Sequence, residues 1–451
     1  MRAISSMKDG QHPILGNAKV LYFLMAALII TDWMVPSYFG IHIGFDFTVT
    51  RILNIIIVAY FIYNRRVGNH FMKSILEVQI TPFISMYMFV MVYTTVLRVN
   101  INTFFLNFLD ILTFYMVFYG IRYVVGLKRV INWTIIIAYF FGIYGMIEYV
   151  LKFSPMVRYM LTLSMSVKMY YRSGQYRIMG PCLHSIGYGM MLFFLIAIAC
   201  VDYEKDEVYL FKRPVLLCLL ILNVFLTGSR GTLGIAVLEI MLIILFTRGE
   251  RRKRTFFFLL VAAAGFGVFL LAVYNTSLGR YIMVQITSVI DEVFGTSLAV
   301  NYGADVTWLE QSSDYRTLLP KIFQVEWLNP LLGKGANAHI TFAIDGRYLK
   351  SIDNYYVALY IRYSYPGLIT AVLIHAASIF HMMRTGLKYK SGLSILCGIS
   401  IFVYTISLYW VDYLMTTRYM YIIIAMYAVL YAERYLELDR ANRKKKRIKK
   451  I

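Results

Sequence analysis

One arginine stands between two stretches of the sequence that are otherwise apolar. Residues 225–237 read FLTGSRGTLGIAV; PVLLCLLILNVFL leads into the turn and IAVLEIMLIILF follows it. An arginine at the centre of a bilayer costs roughly 2.5–3.5 kcal/mol on insertion scales. An arginine between two apolar segments is therefore expected to have a function that offsets this cost. The planar guanidinium suits bidentate contacts with phosphate oxygens. Arg230 is therefore the first candidate for an anion-binding residue.

The residues around Arg230 predict a tight turn between two helices. One helix ends by Gly228 and the next begins at Gly231, with Ser229 as a natural N-cap. The positive end of the second helix dipole would then add to the charge of Arg230. The two glycines would let a ligand approach the backbone closely. The alternative is an interfacial hairpin whose arginine reaches the lipid headgroups.

Composition predicts where such a turn would lie. Hydrophobic residues make up 59% of the 451 and charged residues 15%, and runs of about 20 apolar residues recur along the chain. A β-barrel would instead show alternating segments of about 10 residues. We therefore predict an all-α, polytopic integral membrane protein with about 12 transmembrane helices. The predicted spans are 20–39, 45–63, 79–97, 103–121, 131–151, 183–201, 214–228, 231–247, 255–274, 357–383, 392–410 and 417–433.

Basic residues in alternate loops predict the orientation of the chain. The runs RGERRKR (248–254) and MRTGLKYK (383–390) and the tail RANRKKKRIKK fall on one side, which the positive-inside rule assigns to the cytoplasm together with both termini. A basic tail facing anionic lipid explains the charge better than nucleic-acid binding does. The predicted organisation is helices 1–9 in 1–274, a large extracytoplasmic loop in 275–353, helices 10–12 in 354–433 and a cytoplasmic tail in 434–451.

Eleven arginines fall on the outer side of this topology, where lysines are few. Snorkelling would explain any one of them, but lysine would serve equally for that purpose. The set therefore favours an outer face that binds an anion such as a phosphorylated lipid. These residues are Arg51, Arg98, Arg158, Arg172, Arg177, Arg230, Arg280, Arg316, Arg347, Arg362 and Arg418.

Four carboxylates lie inside or near the ends of predicted spans, where such groups are functional or paired. Asp110 and Glu239 lie within spans, whereas Asp32 and Glu148 lie near outer ends and could pair with outer arginines. No metal-ligand spacing, Walker loop or GxGxxG unit is visible, so we expect no metal and no cofactor.

Three ordered stretches of the sequence resemble the O-antigen polymerase and O-antigen ligase family of bacterial membrane glycosyltransferases. They are the TGSRG turn, SSDYRTLLPKIFQVEWLNPLLGKGANAH (312–339), and IDNYYVALYIRYSYPGLI (352–369). More loosely, RIMGPCLHSIGYGMM (177–191) resembles a further segment that begins with an arginine. The resemblance covers about residues 170–370, and the remaining helices agree only in topology.

The resemblance implies a metal-independent glycosyltransferase that uses a glycan linked to undecaprenyl diphosphate, on the outer face of the bacterial cytoplasmic (inner) membrane. A polymerase joins such oligosaccharide repeat units into O-antigen, capsule or exopolysaccharide, whereas a ligase transfers the glycan to a lipopolysaccharide core or another acceptor. By position, Arg230 and Arg316 would hold the diphosphate. Asp353 stands where ligases have a functional histidine, so this departure favours the polymerase branch.

The resemblance also suggests further site residues and partners. Asp353 would act as general base or orient the acceptor hydroxyl, unless it only caps the tenth helix. In that case Glu310, Asp314 or His339 becomes the candidate base. The expected partners are undecaprenyl-diphosphate-linked oligosaccharides and membrane lipids, with a chain-length regulator and a flippase as further candidates. The expected substrate-binding residues are Arg177, Ser229, Gly231, Gly333, Gly335, Asn354 and Tyr355.

Two other classes of protein are compatible with the topology. A flippase or secondary transporter would be expected to show internal repeats and interrupted helices at matching positions of its two halves. The sequence shows no such self-similarity. A receptor or assembly protein would have no reason to place arginines around one tight turn.

Overall fold

The computed structural model describes residues 18–43, 46–163, 171–172, 175–304, 318–326, 328–335, 342–344, 347–349, 352–412 and 415–439. Within these described residues, a helix lies in each of the twelve predicted spans, and three further helices (α3, α7 and α12) lie between them. The helices are α1 Ala18–Met34, α2 Val49–Tyr63, α3 Arg65–Ile75, α4 Thr81–Arg98, α5 Asn102–Gly120, α6 Leu127–Leu151, α7 Pro155–Met160, α8 Ser185–Ala199, α9 Pro214–Leu226, α10 Arg230–Phe246, α11 Gly249–Val273, α12 Ser277–Phe294, α13 Tyr355–Tyr389, α14 Gly392–Ser407 and α15 Thr417–Arg434.

In the part of the chain that the structure describes, strands occur only in short antiparallel hairpins between helices. The pairs are β1 Gly40–His42 with β2 Asp46–Thr48, β3 Tyr171–Arg172 with β4 Gln175–Tyr176, β5 Val201–Asp202 with β6 Glu207–Val208, and β7 Phe342–Ile344 with β8 Arg347–Leu349. The predicted outer loop therefore contains α12, the β7–β8 hairpin and two short 3-10 turns at 298–302 and 319–324.

Apolar helices indicate a membrane protein. Four of the described helices are long and apolar enough to cross a bilayer: Thr103–Val125, Leu127–Leu151, Gly249–Val273 and Tyr355–Tyr389. The most apolar stretch of α11 has no buried residue although its mean hydropathy is 2.7. A helix that is hydrophobic all round and unburied by protein is suited to lipid contact.

The centre of the helical core is α8. Its sequence, SIGYGMMLFFLIAIA, is apolar on every face, and all but one of its side chains are buried. It packs against α6, α9, α10 and α14. A Cβ at Gly189 would overlap the Thr232 side chain, so this glycine allows α8 and α10 to pack closely at the N-terminal end of α10.

Helix α13 is broken one-third of the way along its length. Ser364 has φ +56° and ψ −164°, and Pro366 follows it. A non-glycine residue adopts such a backbone only at a cost of about 1–3 kcal/mol, which the surroundings must offset. The break also frees carbonyl groups that the helix can no longer satisfy.

The loop segment 329–335 supplies the missing partners. The backbone N–H of Lys334 donates to Ile361 O at 2.8 Å, and that of Gly335 donates to Arg362 O at 2.9 Å. Arg98, at the end of α4, donates from Nε to Gly333 O at 2.7 Å. The predicted outer loop is thereby fastened to both α13 and α4.

Candidate functional site

The turn between α9 and α10 has the predicted form. The Ser229 hydroxyl oxygen accepts a hydrogen bond from Thr232 N at 3.3 Å and caps α10, as predicted. Gly228 has φ +59°, the left-handed conformation that glycine adopts readily. Arg230 is the first residue of α10 and is half-buried.

Arg177 reaches this turn from a distant part of the sequence. Its Nε donates to Thr227 O at 2.7 Å, at the carbonyl end of α9. A Cβ at Gly228 would lie 3.0 Å from the Arg177 Cγ, whereas one at Gly231 would have no heavy atom within 4 Å. Gly228 therefore makes room for Arg177, and the open space lies beside Gly231.

A buried carboxylate holds the segment that carries Arg177. Glu148 on α6 accepts from Tyr176 OH at 2.8 Å, Met179 N at 2.8 Å and Gly180 N at 3.0 Å. The sequence predicts an arginine partner for Glu148. That prediction is wrong: the carboxylate instead satisfies two backbone amides of an irregular segment next to the turn.

Helix α12 packs against α10 on the other side of the turn. Asp291 on α12 accepts hydrogen bonds from Thr296 Oγ1, Leu298 N and Ala299 N at 2.6–2.8 Å. Burial raises the pKa of Asp291, but these hydrogen bonds and the positive charge of Arg230 outweigh it and bring the pKa below its ordinary value. The predicted outer loop therefore contributes a negative charge close to Arg230.

A cavity of about 330 Å³ lies between α1, α2, α5, α13 and α15. It is lined by Arg51 at the start of α2, Arg362 just before the break in α13, and Arg418 at the start of α15. Asp32 and Asp110 also line it. The structure thus brings together helix ends that the basic-residue pattern assigns to the outer side.

The arginines of this cavity are held by fixed partners. Arg51 donates from Nη1 to Asp46 O at 2.6 Å, and Arg418 donates from Nη1 to Val35 O at 2.8 Å. Arg362 forms an ion pair with Asp412, with 2.9 Å between Nη2 and Oδ2. These contacts fix the positions of the positive charges around the cavity.

At the start of α13, one residue caps the helix and another lines the cavity. Asn354 is the N-cap: its Oδ1 accepts from Tyr356 N at 3.0 Å and Val357 N at 3.1 Å. The alternative in which Asp353 caps this helix is therefore wrong, and Asp353 is exposed beside the cap. Tyr355 lines the cavity.

The two glycines of the PLLGKG stretch contact protein backbone. A Cβ at Gly333 would overlap the carbonyl group of Arg362 and the amide of Tyr363, and Gly335 has φ +89° while donating to Arg362 O. In this structure they serve the contact with α13, and a role for them in substrate binding stays a prediction. Arg316, Glu310, Asp314 and His339 lie outside the described residues.

The turn and the cavity are two separate groups of residues that one short segment connects. Arg177 is at the turn, and five residues later the Cys182 Sγ lies 3.8 Å from Tyr419 OH, next to Arg418. Five residues span at most about 18 Å. Arg177, Ser229, Arg230 and Gly231 are thus together at the turn, and Tyr355 is at the nearby cavity.

No protein-family model matches the chain, and none of the curated proteins is significantly similar to it. Any functional assignment therefore depends on the geometry of these two groups and on the sequence motifs within them.

Proposed function

We propose that this chain is a polymerase that joins undecaprenyl-diphosphate-linked oligosaccharide repeat units into O-antigen, capsule or exopolysaccharide, on the outer face of the bacterial cytoplasmic membrane. The observation that carries the proposal is that Arg177 bonds to the Thr227 carbonyl, three residues before Arg230 at the capped N-terminus of α10. Two guanidinium groups and a helix N-terminus, with open space beside Gly231, form a site suited to a diphosphate.

The reaction needs stabilisation of its leaving group. The acceptor hydroxyl attacks the anomeric carbon, the bond from that carbon to the phosphate oxygen breaks, and negative charge develops on the departing lipid diphosphate. Fixed arginines stabilise such charge well because their positions need no reorganisation during the reaction. Arg177 is fixed by its bond to Thr227 O, and the Glu148 carboxylate fixes the segment around it.

Contacts of the loop before α13 favour a diphosphate site to which both the helices and this loop contribute residues. Helix α12 brings Asp291 close to Arg230, and the segment 329–335 is bonded to α13. We propose that Arg316 from this loop joins Arg230 on the diphosphate. Asp353, which the helix cap does not use, would accept the proton of the acceptor hydroxyl or orient that hydroxyl.

The topology that this proposal requires has twelve membrane-spanning helices and both termini in the cytoplasm. In a variant with Cys218 replaced by serine, a cysteine at Asn301 should react with a membrane-impermeant thiol reagent in intact cells. One at Lys253 should react only after permeabilisation. Both side chains are exposed in the structure, so a difference in labelling would report the side of the membrane and not burial within the protein. The reverse pattern would overturn the topology.

The function is tested by deleting the gene in the source strain and separating the surface glycan on a gel. Loss of a polymerase leaves single repeat units, loss of a ligase leaves long unattached chains, and loss of a flippase leaves no glycan outside. Complementation with Arg230→Ala should reproduce the deletion pattern, with normal protein levels in the membrane. Long chains in the deletion strain would refute the polymerase proposal.

One observation favours transport as a second candidate function. The break at Ser364 directly follows Arg362 and Tyr363, which line the cavity, and transporters place interrupted helices at their binding sites. A flippase for lipid-linked glycan would also bind a diphosphate. The same deletion separates the two candidates, because only flippase loss keeps single repeat units from appearing outside.

A further inference from the structure

The cavity between α1, α2, α5, α13 and α15 contains two carboxylates that lack hydrogen-bond donors. Asp32 is only 3% exposed, yet among the described residues neither Asp32 nor Asp110 receives a hydrogen bond or forms an ion pair within 4.0 Å. Both line the cavity. Buried polar groups are nearly always hydrogen-bonded, so Asp32 needs a donor that the described residues do not supply, and the partly buried Asp110 can accept one as well.

A third polar group of the cavity wall has the same need. The Arg418 Nε is buried and has no hydrogen-bond partner among the described residues, although its two terminal nitrogens donate to Val35 O and Tyr419 OH. The ligand that fits therefore supplies hydroxyl donors to Asp32 and Asp110 and an acceptor near Arg418. This combination excludes a purely apolar ligand such as a lipid tail.

The charge of the wall selects among polar ligands. Arg362 is paired with Asp412, so the guanidinium groups that remain opposite the carboxylates of Asp32 and Asp110 are those of Arg51 and Arg418. Arginine stays protonated at every physiological pH, so one part of the lining is positively charged and another part carries carboxylates. A ligand that presents an anionic group to Arg51 and Arg418 and hydroxyl groups to the two aspartates therefore matches the lining.

Aromatic side chains complete the lining. Phe114 and Tyr421 lie side by side, with ring centroids 5.3 Å apart, and Tyr355 lies at the start of α13. Aromatic rings provide apolar surface against which the C–H face of a sugar ring packs. The volume of about 330 Å³ is at the small end of the range for ligand sites and suits one sugar residue.

We propose that this cavity is a binding site for an acidic sugar residue, whose hydroxyls donate to Asp32 and Asp110 and whose carboxylate contacts Arg418 and Arg51. The site is distinct from the diphosphate site at the α9–α10 turn. Identifying the sugar as part of the repeat unit rests on the proposed function, whereas the binding site itself does not.

The test uses three methyl glycosides that share one ring. Saturation-transfer NMR with the full chain in detergent micelles compares methyl β-glucuronide, methyl β-glucoside and methyl β-glucosaminide, with empty micelles as the blank. We expect saturable binding in the order glucuronide, glucoside, glucosaminide. Asp110→Asn should weaken glucuronide binding about tenfold or more, since a hydrogen bond to a charged group is lost.

Further variants separate charge recognition from folding. Arg418→Gln and Arg51→Gln should each reduce the preference for glucuronide over glucoside. Glu250→Gln, at an exposed acidic residue outside the cavity, is the control and should change nothing. An unfolding temperature measured for each variant shows which of them are folded.

The proposal is overturned if none of the glycosides binds, if the glucosaminide binds best, or if folded Asp110→Asn and Arg418→Gln bind like the unaltered chain. These outcomes are independent of polymerisation. Glucuronide binding by a chain that does not extend lipid-linked units would refute the proposed function and leave the site standing.

Discussion

Replacing Gly333 by alanine should release the outer loop from the broken helix. The added Cβ would lie closer than 3.0 Å to the carbonyl carbon and oxygen of Arg362 and to the amide nitrogen of Tyr363. These are backbone atoms on the opposing element, so no side-chain rotation relieves the overlap. The loop and α13 must move apart instead.

The size of the effect follows from the hydrogen bonds next to the overlap. Lys334 N and Gly335 N lie 2.8 and 2.9 Å from their acceptors on α13. A separation on the order of 1 Å takes both beyond about 3.5 Å, where a hydrogen bond is lost. Each is worth about 0.5–1.5 kcal/mol net, so the expected destabilisation is about 1–3 kcal/mol.

The matched control is Gly265→Ala in α11, where a Cβ would have no heavy atom within 4 Å. Alanine within a helix is up to about 1 kcal/mol better than glycine, so this variant should be neutral or slightly stabilised. We expect Gly333→Ala to lower the apparent melting temperature in detergent by a few degrees and to increase protease cleavage in residues 295–335. If the two variants melt and are cleaved alike, the loop is not fastened to α13 by this contact.

Three further predictions concern Arg230, Asp353 and Asp439. Arg230→Ala should abolish extension of the glycan chain in isolated membranes. Arg230→Lys should retain only part of the activity, because lysine keeps the charge but loses the planar fork. Full activity of the alanine variant would mean that Arg230 only extends its side chain to the lipid headgroups. Asp353→Asn should strongly reduce the rate of glycan extension, since asparagine cannot accept a proton. The helix itself should be unaffected, because Asn354 remains as its cap. A near-normal rate would leave Glu310 or Asp314 as the candidate base. Burial raises the pKa of Asp439, but hydrogen bonds from Lys388, Tyr389 and Tyr431 lower it to about 2 from 3.8. The stability that the ionised Asp439 confers is therefore complete above pH 3.8 and is lost as the pH falls towards 2. Between these pH values the melting temperature of the unaltered chain should fall. The melting temperature of Asp439→Asn should lack this part of the pH dependence.

Features set by neighbouring residues could be predicted from the sequence. The α9–α10 turn depends on Gly228 and on the cap at Ser229, both of which belong to one stretch of the chain. Apolar runs likewise predicted a helix in each of twelve segments, with ends that differ from the observed ones by up to about six residues, but they did not predict α3, α7 and α12. The alternative in which Asp353 caps α13 is wrong by one residue, because aspartate and asparagine cap equally well and only the backbone distinguishes them.

Features assembled from distant segments could not be predicted in this way. Asp32 and Asp110 stand out in the sequence as carboxylates in apolar surroundings, and the cavity arginines stand out as basic residues on the outer side. Nothing in the spacing of residues 32, 51, 110, 362 and 418 indicates that they share one cavity, because that depends on how five helices pack. The break in α13 is similar: Pro366 hints at it, but the partners of the freed carbonyls come from a loop some 30 residues earlier.

The outer arginines have a structural role that also explains why they are arginines. Four of them donate to backbone carbonyls of irregular segments: Arg51 to Asp46 O, Arg98 to Gly333 O, Arg177 to Thr227 O and Arg418 to Val35 O. A guanidinium has five N–H donors in a rigid fork, so it can hold a carbonyl with one arm and present others to an anion. Lysine, with one flexible ammonium group, does not combine the two tasks in a fixed geometry. The excess of arginine on the predicted outer side therefore follows from two requirements: to hold irregular backbone at helix ends, and to keep positive charge fixed beside the turn and the cavity.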